Sequence, residues 1–371
     1  MISIGLDVHQ HSTALCQLDA SGRPVVEEVI RGGLHAVAAR LRRIEEPFKV
    51  CFEASCGYGT LHDLLAPIAQ QVQVAHPGEL ALIFRSKQKN DRFDAQRIAK
   101  LLHLDEVPRV HVPSVEVRAW RGMIEHRRRL VDKRTRVKNA LRAQLRSLGI
   151  KAPARRTLWS KAGIEWLEAQ SLPTGLDRIK RGSLLAELGT LDEQIKIVER
   201  ELNLTGKEDW RVLLLQTMPG VGPRTAEAAA AYIDAPERFG SNKSIGTYFG
   251  VIPSQDASAG KNRLGHITRE GPATVRKMVT EAAWQAIRRS PRFKAFYERV
   301  MAGQKQRRAT AIVATAHKML RIMLSMLRSR QPWRDESAPA AVCPPDASVH
   351  DIETARAHRR IRGADSSWAG A

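Results

Sequence analysis

The run Ile2-Ser3-Ile4-Gly5-Leu6-Asp7-Val8-His9 decides how the first third of the chain is read. Ile2, Ile4 and Leu6 alternate with small residues, the period of a strand that packs one face on a core. The alternation ends at Asp7, a carboxylate at the mouth of an otherwise apolar strand. Capping a turn is the commoner use of such an acid, so its meaning depends on where the neighbouring acids fall.

Working outward, residues 11–18 and 24–30 predict two more strands, joined by the turn Asp19-Ala20-Ser21-Gly22. Residues 34–44 have helical spacing, and Phe48-Lys49-Val50-Cys51-Phe52-Glu53 returns to alternation. Phe48, Val50 and Phe52 point one way, so Glu53 ends this strand much as Asp7 ends the first. A helix over 60–68 and a short strand over 72–75 follow. Three strands in a row, then helix, strand, helix and strand, predict an α/β sheet of the ribonuclease-H type. In Asn90-Asp91-Arg92-Phe93-Asp94-Ala95, Asn90 or Asp91 can cap a helix pinned by Ile98, Leu101 and Leu102. Asp91 and Asp94, three residues apart, share a face of that helix. An N-cap and a first-turn acid favoured by the helix dipole would look the same.

The 371-residue chain carries a net charge of +21, with an isoelectric point near 10.4. Such a balance suits a polyanion, because each phosphate neutralised by Lys or Arg releases a condensed counterion. An anionic membrane surface would also fit, but no apolar run approaches a spanning length and no signal peptide precedes Asp7. The four cysteines, Cys16, Cys51, Cys56 and Cys343, show no Cys-x-x-Cys spacing, which points to reduced thiols rather than a disulfide frame or a zinc site. The composition predicts a soluble, cytoplasmic, nucleoid-associated protein that binds nucleic acid.

Residues 118–148 form a long helical pattern with Trp120, Ile124, Leu130, Val137, Leu141, Leu145 and Leu148 as its apolar stripe. Between them fall Arg118, Arg121, Arg127, Arg128, Arg129, Lys133, Arg134, Arg136, Lys138, Arg142 and Arg146. A solvated face is the plain reading of such a run. With few acids to offset it, a helix tracking DNA or RNA phosphates is favoured, with Arg118, Arg121, Arg127, Arg128, Lys133, Arg134, Lys138 and Arg142 as contacts. A second long helix over 183–202 makes an antiparallel hairpin or a dimerising coiled coil with it.

Met218-Pro219-Gly220-Val221-Gly222-Pro223-Arg224-Thr225-Ala226 lies between helical patterns at 210–217 and 225–232. A Gly-x-Gly turn there exposes amides at a helix N-terminus and resembles the helix-hairpin-helix motif, with Gly220, Gly222 and Arg224 toward phosphate. A plain helix-helix turn could carry the same glycines. Residues 248–269 are rich in Gly, Ser, Lys and Arg and read as a polar loop, too polar for a core strand. A hydroxyl amid cations there suits phosphate chemistry at a serine, and an ordinary basic DNA-contacting loop is the alternative. Ser258 to Lys261 also spells Ser-x-x-Lys, but a penicillin-binding reading fails on charge and on the missing secretion signal. Helical patterns resume at 273–289, 291–300 and 309–328, and the aperiodic tail from Gln331 is expected to be disordered.

Together these motifs resemble the DEDD insertion-sequence transposases, relatives of bridge-RNA-guided recombinases and Piv-type DNA invertases. The resemblance runs from about Ile2 to Arg328. It implies a RuvC-like domain over 1–110 whose Asp-Glu-Asp-Asp set is Asp7, Glu53, Asp91 and Asp94. It implies a long-helix region over 111–205, a transposase domain over 206–330 and a tail over 331–371. The family's serine nucleophile aligns with Ser258, with Ser254 as the alternative hydroxyl; Ala257 and Ala259 stand where serine and glycine are usual. Four carboxylates at one site need cations to neutralise them, and oxygen ligands favour Mg²⁺ or Mn²⁺. A pair of such ions about 4 Å apart can serve both oxygens of a phosphodiester exchange, and Lys261, Arg263 and Arg269 can hold the phosphate. The implied partners are double-stranded DNA, a structured guide RNA and further copies in an even-numbered homo-oligomer. A RuvC-type endonuclease and a non-enzymatic architectural protein are the competing readings. A sugar-kinase-like reading of Gly-Leu-Asp lacks the glycine-rich phosphate turn after the acid.

Overall fold

The computed structural model describes residues 1–84, 91–154, 157–258 and 261–334, with the side chains of Ala257, Ser258, Lys261 and Asn262 excepted. The chain divides into two compact units, Met1–Val115 and Glu116–Ala371.

In the first unit β1 (Ile2–Val8), β2 (Ser12–Leu18) and β3 (Pro24–Arg31) form an antiparallel meander. Then come α1 (Leu34–Leu41), β4 (Phe48–Glu53), α2 (Tyr58–Leu65) and β5 (Gln71–Ala75). The five-stranded sheet has the order β3-β2-β1-β4-β5, with β4 parallel to β1 and β5 parallel to β4. β1 is therefore a central strand, which is why its apolar side chains have no water to face. Ile4, Leu6, Val50 and Phe52 are buried beneath Val37, Leu41, Leu61 and Leu65 of α1 and α2.

The other face of the sheet is built from small residues. After α3 (Pro77–Ile83), a helix not expected from the sequence, α4 (Asp91–His103) packs against it. Ala95 and Ala99 of α4 meet Ala14, Cys16 and Leu18, while Ile98, Leu101 and Leu102 meet Cys51 and Ala75. Gly5 permits the closest approach: a Cβ there would lie 2.1 Å from the Ala95 carbonyl oxygen and 2.4 Å from the Ala99 nitrogen. The N-cap expected at Asn90 lies outside the described residues.

The second unit is mostly helical. α5 (Val115–Ser147) and α7 (Gly175–Glu208) are its long helices, with α6 (Lys161–Ala169) between them in sequence. Arg127 pairs with Glu199 and Arg134 with Asp192, so a heptad forward on α5 is a heptad back on α7. The two therefore run antiparallel, as a hairpin. α7 is much longer than the 183–202 read from its apolar stripe, because its first turns carry exposed Leu176 and Ile179 instead of buried ones. Thr174 caps it, its Oγ1 accepting from the Asp177 amide at 3.0 Å.

Next come α8 (Trp210–Leu215), α9 (Pro223–Ile233) and α10 (Ser244–Tyr248). The segment read as a polar loop is instead a two-stranded hairpin, β6 (Pro253–Ser258) with β7 (Lys261–Ile267). Its strands escape hydrophobic patterning because none of their described side chains is buried: Ser254, Gln255, Asp256, Arg263 and Leu264 are all exposed. α11 (Ala273–Arg289), α12 (Pro291–Met301) and α13 (Arg308–Ser329) complete the unit.

Contrary to the sequence reading, one helical stretch, Lys305–Ser329, is long and apolar enough to span a membrane. Its apolarity has another cause: Ile312, Ala316, Met319, Leu320, Met323, Leu324 and Leu327 are buried in the core shared with α11 and α12. The segment from Gln331, expected to be disordered, is held at Trp333. Trp333 stacks on Phe293 with ring centroids 5.1 Å apart and donates its backbone N–H to Thr217 Oγ1 at 2.9 Å. The disorder expected beyond that point lies outside the described residues.

Candidate metal centre and basic elements

β1 delivers Asp7 to the C-terminal end of the sheet, and α4, seated on Gly5, delivers the first-turn acids Asp91 and Asp94 to the same end. Parallel pairing sets Leu6 opposite Phe52, so the next residues along both strands are Asp7 and Glu53. The His9-Gln10-His11 turn into β2 then brings in a group from the same strand end. His9 Nε2 lies 3.1 Å from Asp7 Oδ2 and 3.5 Å from Asp91 Oδ2. Ligand atoms of Asp7, His9 and Asp91 all lie within 4.8 Å of one another.

Of the four carboxylates expected there, the structure thus gathers Asp7 and Asp91 tightly, with His9 as the third group. Asp94 is close enough to act on Asp7 electrostatically, and its Oδ1 accepts from Arg97 Nη1 at 3.3 Å. Glu53 is half-buried at the end of β4 and is not within the 4.8 Å set. Asp7 is only 15% exposed, whereas Asp91 is 56% exposed. Burial raises the Asp7 carboxyl above its ordinary range; Asp91 and Asp94 add to the rise, and His9 opposes it. A carboxylate held in that state is stabilised by a cation, and hard oxygen donors fit Mg²⁺ or Mn²⁺. No periodicity in the sequence marks His9, because β1 ends at Val8 and the turn into β2 places its ring.

The basic residues of α5 are put to mixed uses. Arg121 donates through Nε to the Ala231 carbonyl at 2.8 Å and stacks on Tyr232. Arg127 Nε donates to Glu199 at 2.8 Å, Arg128 pairs with Glu125 and Asp132, and Arg134 pairs with Asp192 at 2.9 Å. Lys138 lies over the Trp159 ring at 5.1 Å, and burial, helped by Arg134, holds its ammonium below the usual lysine range. Arg134, Lys138, Arg142 and Trp159 line a cavity of about 210 Å³. Arg118 is half-buried, while Lys133 is exposed, as are Arg129 and Arg136 on the same side of the helix.

The glycine turn is also partly internal. Gly220, at φ +82°, presses on α11, where a Cβ would lie 2.5 Å from the Ala282 oxygen. Gly222 is exposed and caps α9. Arg224 reaches Asn203 and sits 2.9 Å from the buried Glu227. On the hairpin, Arg263 and nearby Arg269 are exposed. Ser258 is the last residue of β6, paired in register with Lys261. The roles expected of the Ser258 and Lys261 side chains lie outside the described residues.

Family models match both parts of the chain. One, described as a transposase and built on the DEDD domain, covers residues 4–150; the other, described as transposase IS116/IS110/IS902 family, covers residues 212–298. Over these two segments the chain is similar to transposases of the IS116/IS110/IS902 type. It is 27% identical over 342 residues to the transposase for insertion sequence element IS1111A of Coxiella burnetii, covering 89% of this chain and 91% of that one. It is 29% identical over 251 residues to a probable family 20 transposase of Pseudomonas aeruginosa, covering 66% of this chain and 74% of that relative. It is 27% identical over 237 residues to the transposase for insertion sequence element IS1328 of Yersinia enterocolitica, covering 64% and 70%. The acid cluster lies within the segment matched by the DEDD model and the glycine turn within the segment matched by the other.

Proposed function

We propose that this protein is a transposase that cuts and rejoins DNA strands at the ends of an insertion sequence, using a divalent-metal site and a serine nucleophile. The metal, Mg²⁺ or Mn²⁺, is assigned to Asp7, Glu53, Asp91 and Asp94. The observation that carries this reading is the seating of α4 on Gly5, which sets Asp91 beside Asp7 at the end of a central strand. The strand order β3-β2-β1-β4-β5, antiparallel then parallel, supports a RuvC-like reading of the first unit. The register of β1 on β4 supports Glu53 as a further carboxylate.

When bound, divalent metal polarises the phosphodiester and stabilises charge on its oxygens. Ser258 is assigned the attack: its Oγ bonds to phosphorus as one phosphorus–oxygen bond to deoxyribose breaks, and the released oxygen takes the proton. Bond energy is kept in the phosphoserine ester, so rejoining needs no external energy. Exposed Arg263 and Arg269, with Lys261, are assigned to the scissile phosphate. The exposed Gly222 at the N-terminus of α9 supports a helix-hairpin-helix-like contact with the DNA backbone. Direction by an element-encoded guide RNA and action as an even-numbered homo-oligomer in the cytoplasm complete the proposal; the family resemblance and the net charge of +21 support the first.

Asp7→Asn is expected to abolish strand cleavage while leaving DNA binding within about twofold; cleavage at the wild-type rate would sink the metal assignment. Ser258→Ala is expected to abolish a denaturation-resistant protein–DNA adduct. If that variant still cleaves at the wild-type rate with no adduct in the parent protein, a hydrolytic nuclease using the same carboxylates is the better account.

A further inference from the structure

We propose that His9 is a direct ligand of the divalent ion, giving the carboxylate site one nitrogen donor. The inference rests on the metal reading above and adds a residue to it. Its basis is the distance pattern at the end of β1. Two adjacent ligands of an octahedral ion with bonds of about 2.1 Å are about 3.0 Å apart, the edge of the octahedron. His9 Nε2 stands 3.1 Å from Asp7 Oδ2 and 3.5 Å from Asp91 Oδ2, so the imidazole nitrogen and each carboxylate are spaced close to such an edge.

The hairpin holds the ring there. The His9 backbone N–H donates to the Ser12 carbonyl at 2.9 Å, closing the turn between β1 and β2, and Val8 pairs with Thr13 just before it. The side chain is 43% exposed, so an incoming ion and its remaining waters can reach Nε2. A hydrogen bond from His9 to Asp7 alone would need no approach to Asp91, which comes from a different element.

Nitrogen among oxygens changes selectivity. Imidazole suits Mn²⁺ and later metals better than Mg²⁺, which prefers oxygen ligands and retains its waters. His9 therefore tilts the site toward Mn²⁺ without adding negative charge to Asp7 and Asp91.

The test uses the full-length protein loaded with Mn²⁺ and examined by pulsed electron paramagnetic resonance. Directly bound ¹⁴N is expected to modulate the echo in the wild type and to vanish in His9→Gln. In the same variant the Mn²⁺ affinity is expected to fall on the order of tenfold and the Mg²⁺ affinity by less, which narrows the ratio between the two. Asp7→Asn is expected to lose the ion. Nitrogen coupling absent from the wild type, or surviving in His9→Gln, would overturn the assignment while Asp7-dependent binding keeps the carboxylate site. Absence of any Asp7-dependent Mn²⁺ binding would remove the metal reading and this inference together.

Discussion

At the residue scale, the site depends on a side chain that is missing. Gly5 lets α4 lie directly on β1, and a methyl group there would overlap the Ala95 carbonyl and the Ala99 amide, which are backbone and cannot turn aside. Gly5→Ala is expected to destabilise the first unit by about 3 kcal/mol or more. The α4 helix must lift, and Asp91 and Asp94 move with it, so Mn²⁺ affinity should fall alongside the melting temperature. A variant that melts and binds metal like the wild type would show that α4 is not what sets the acids in place. The positions of Asp7 and Glu53 at neighbouring strand ends were legible in the sequence because each closes an alternating run. The place of His9 beside Asp7 and Asp91 was not, since it comes from a ring set by a hairpin turn, and a histidine after a strand is otherwise unremarkable in sequence.

At the scale of elements, the junction of α7 with α9 holds a buried acid that sequence patterning gave no reason to single out. Glu227 lies on the buried face of the alanine-rich α9, and Gly206 of α7 leaves room for its carboxylate, since a Cβ there would meet Oε1 at 2.7 Å. Burial pushes its carboxyl up to about 7, with Arg224 opposing. An acid whose pKa is higher folded than unfolded keeps its proton in the native state, so stability falls as pH rises from about 4.5 to about 7 and then levels. Relative to wild type, Glu227→Gln should gain stability progressively across that window, by about 3 kcal/mol at most, and by no more beyond it. Urea denaturation of both proteins at pH 5, 6, 7 and 8 reads the difference directly; a difference that does not change with pH would refute the buried, protonated state. The long helices themselves were legible from their apolar stripes, and Trp120, Ile124, Leu130, Val137, Leu141 and Leu145 are all buried. The β6–β7 hairpin was not, because strands with none of their described side chains buried leave no alternation to read.

At the scale of the whole molecule, the net charge of +21 says that polyanions bind, but not which cations do the binding. The arginine run of α5 illustrates the gap: Arg121, Arg127, Arg128 and Arg134 are engaged within the second unit, clamping α5 to α7, to α9 or to its own acids. Charge counted along a sequence cannot separate those from cations that face solvent, because the partners on α7 are dozens of residues away. Arg129, Lys133 and Arg136 are exposed and spaced four and three residues apart, one row along the helix. Each phosphate contact contributes about 0.9 to the slope of log affinity against log salt concentration on duplex DNA. If this row tracks a phosphate backbone, replacing all three with alanine should lower the slope by about 3, with binding weakened most at low salt. Arg127→Ala and Arg134→Ala should leave the slope unchanged and cost up to about 1 kcal/mol in stability, as half-exposed helix pairs do. Filter binding to a random-sequence duplex between 50 and 200 mM salt separates the two classes. Equal slope changes for both would mean that the pairs to α7 open when nucleic acid binds, and that the α5–α7 hairpin is itself part of the binding event.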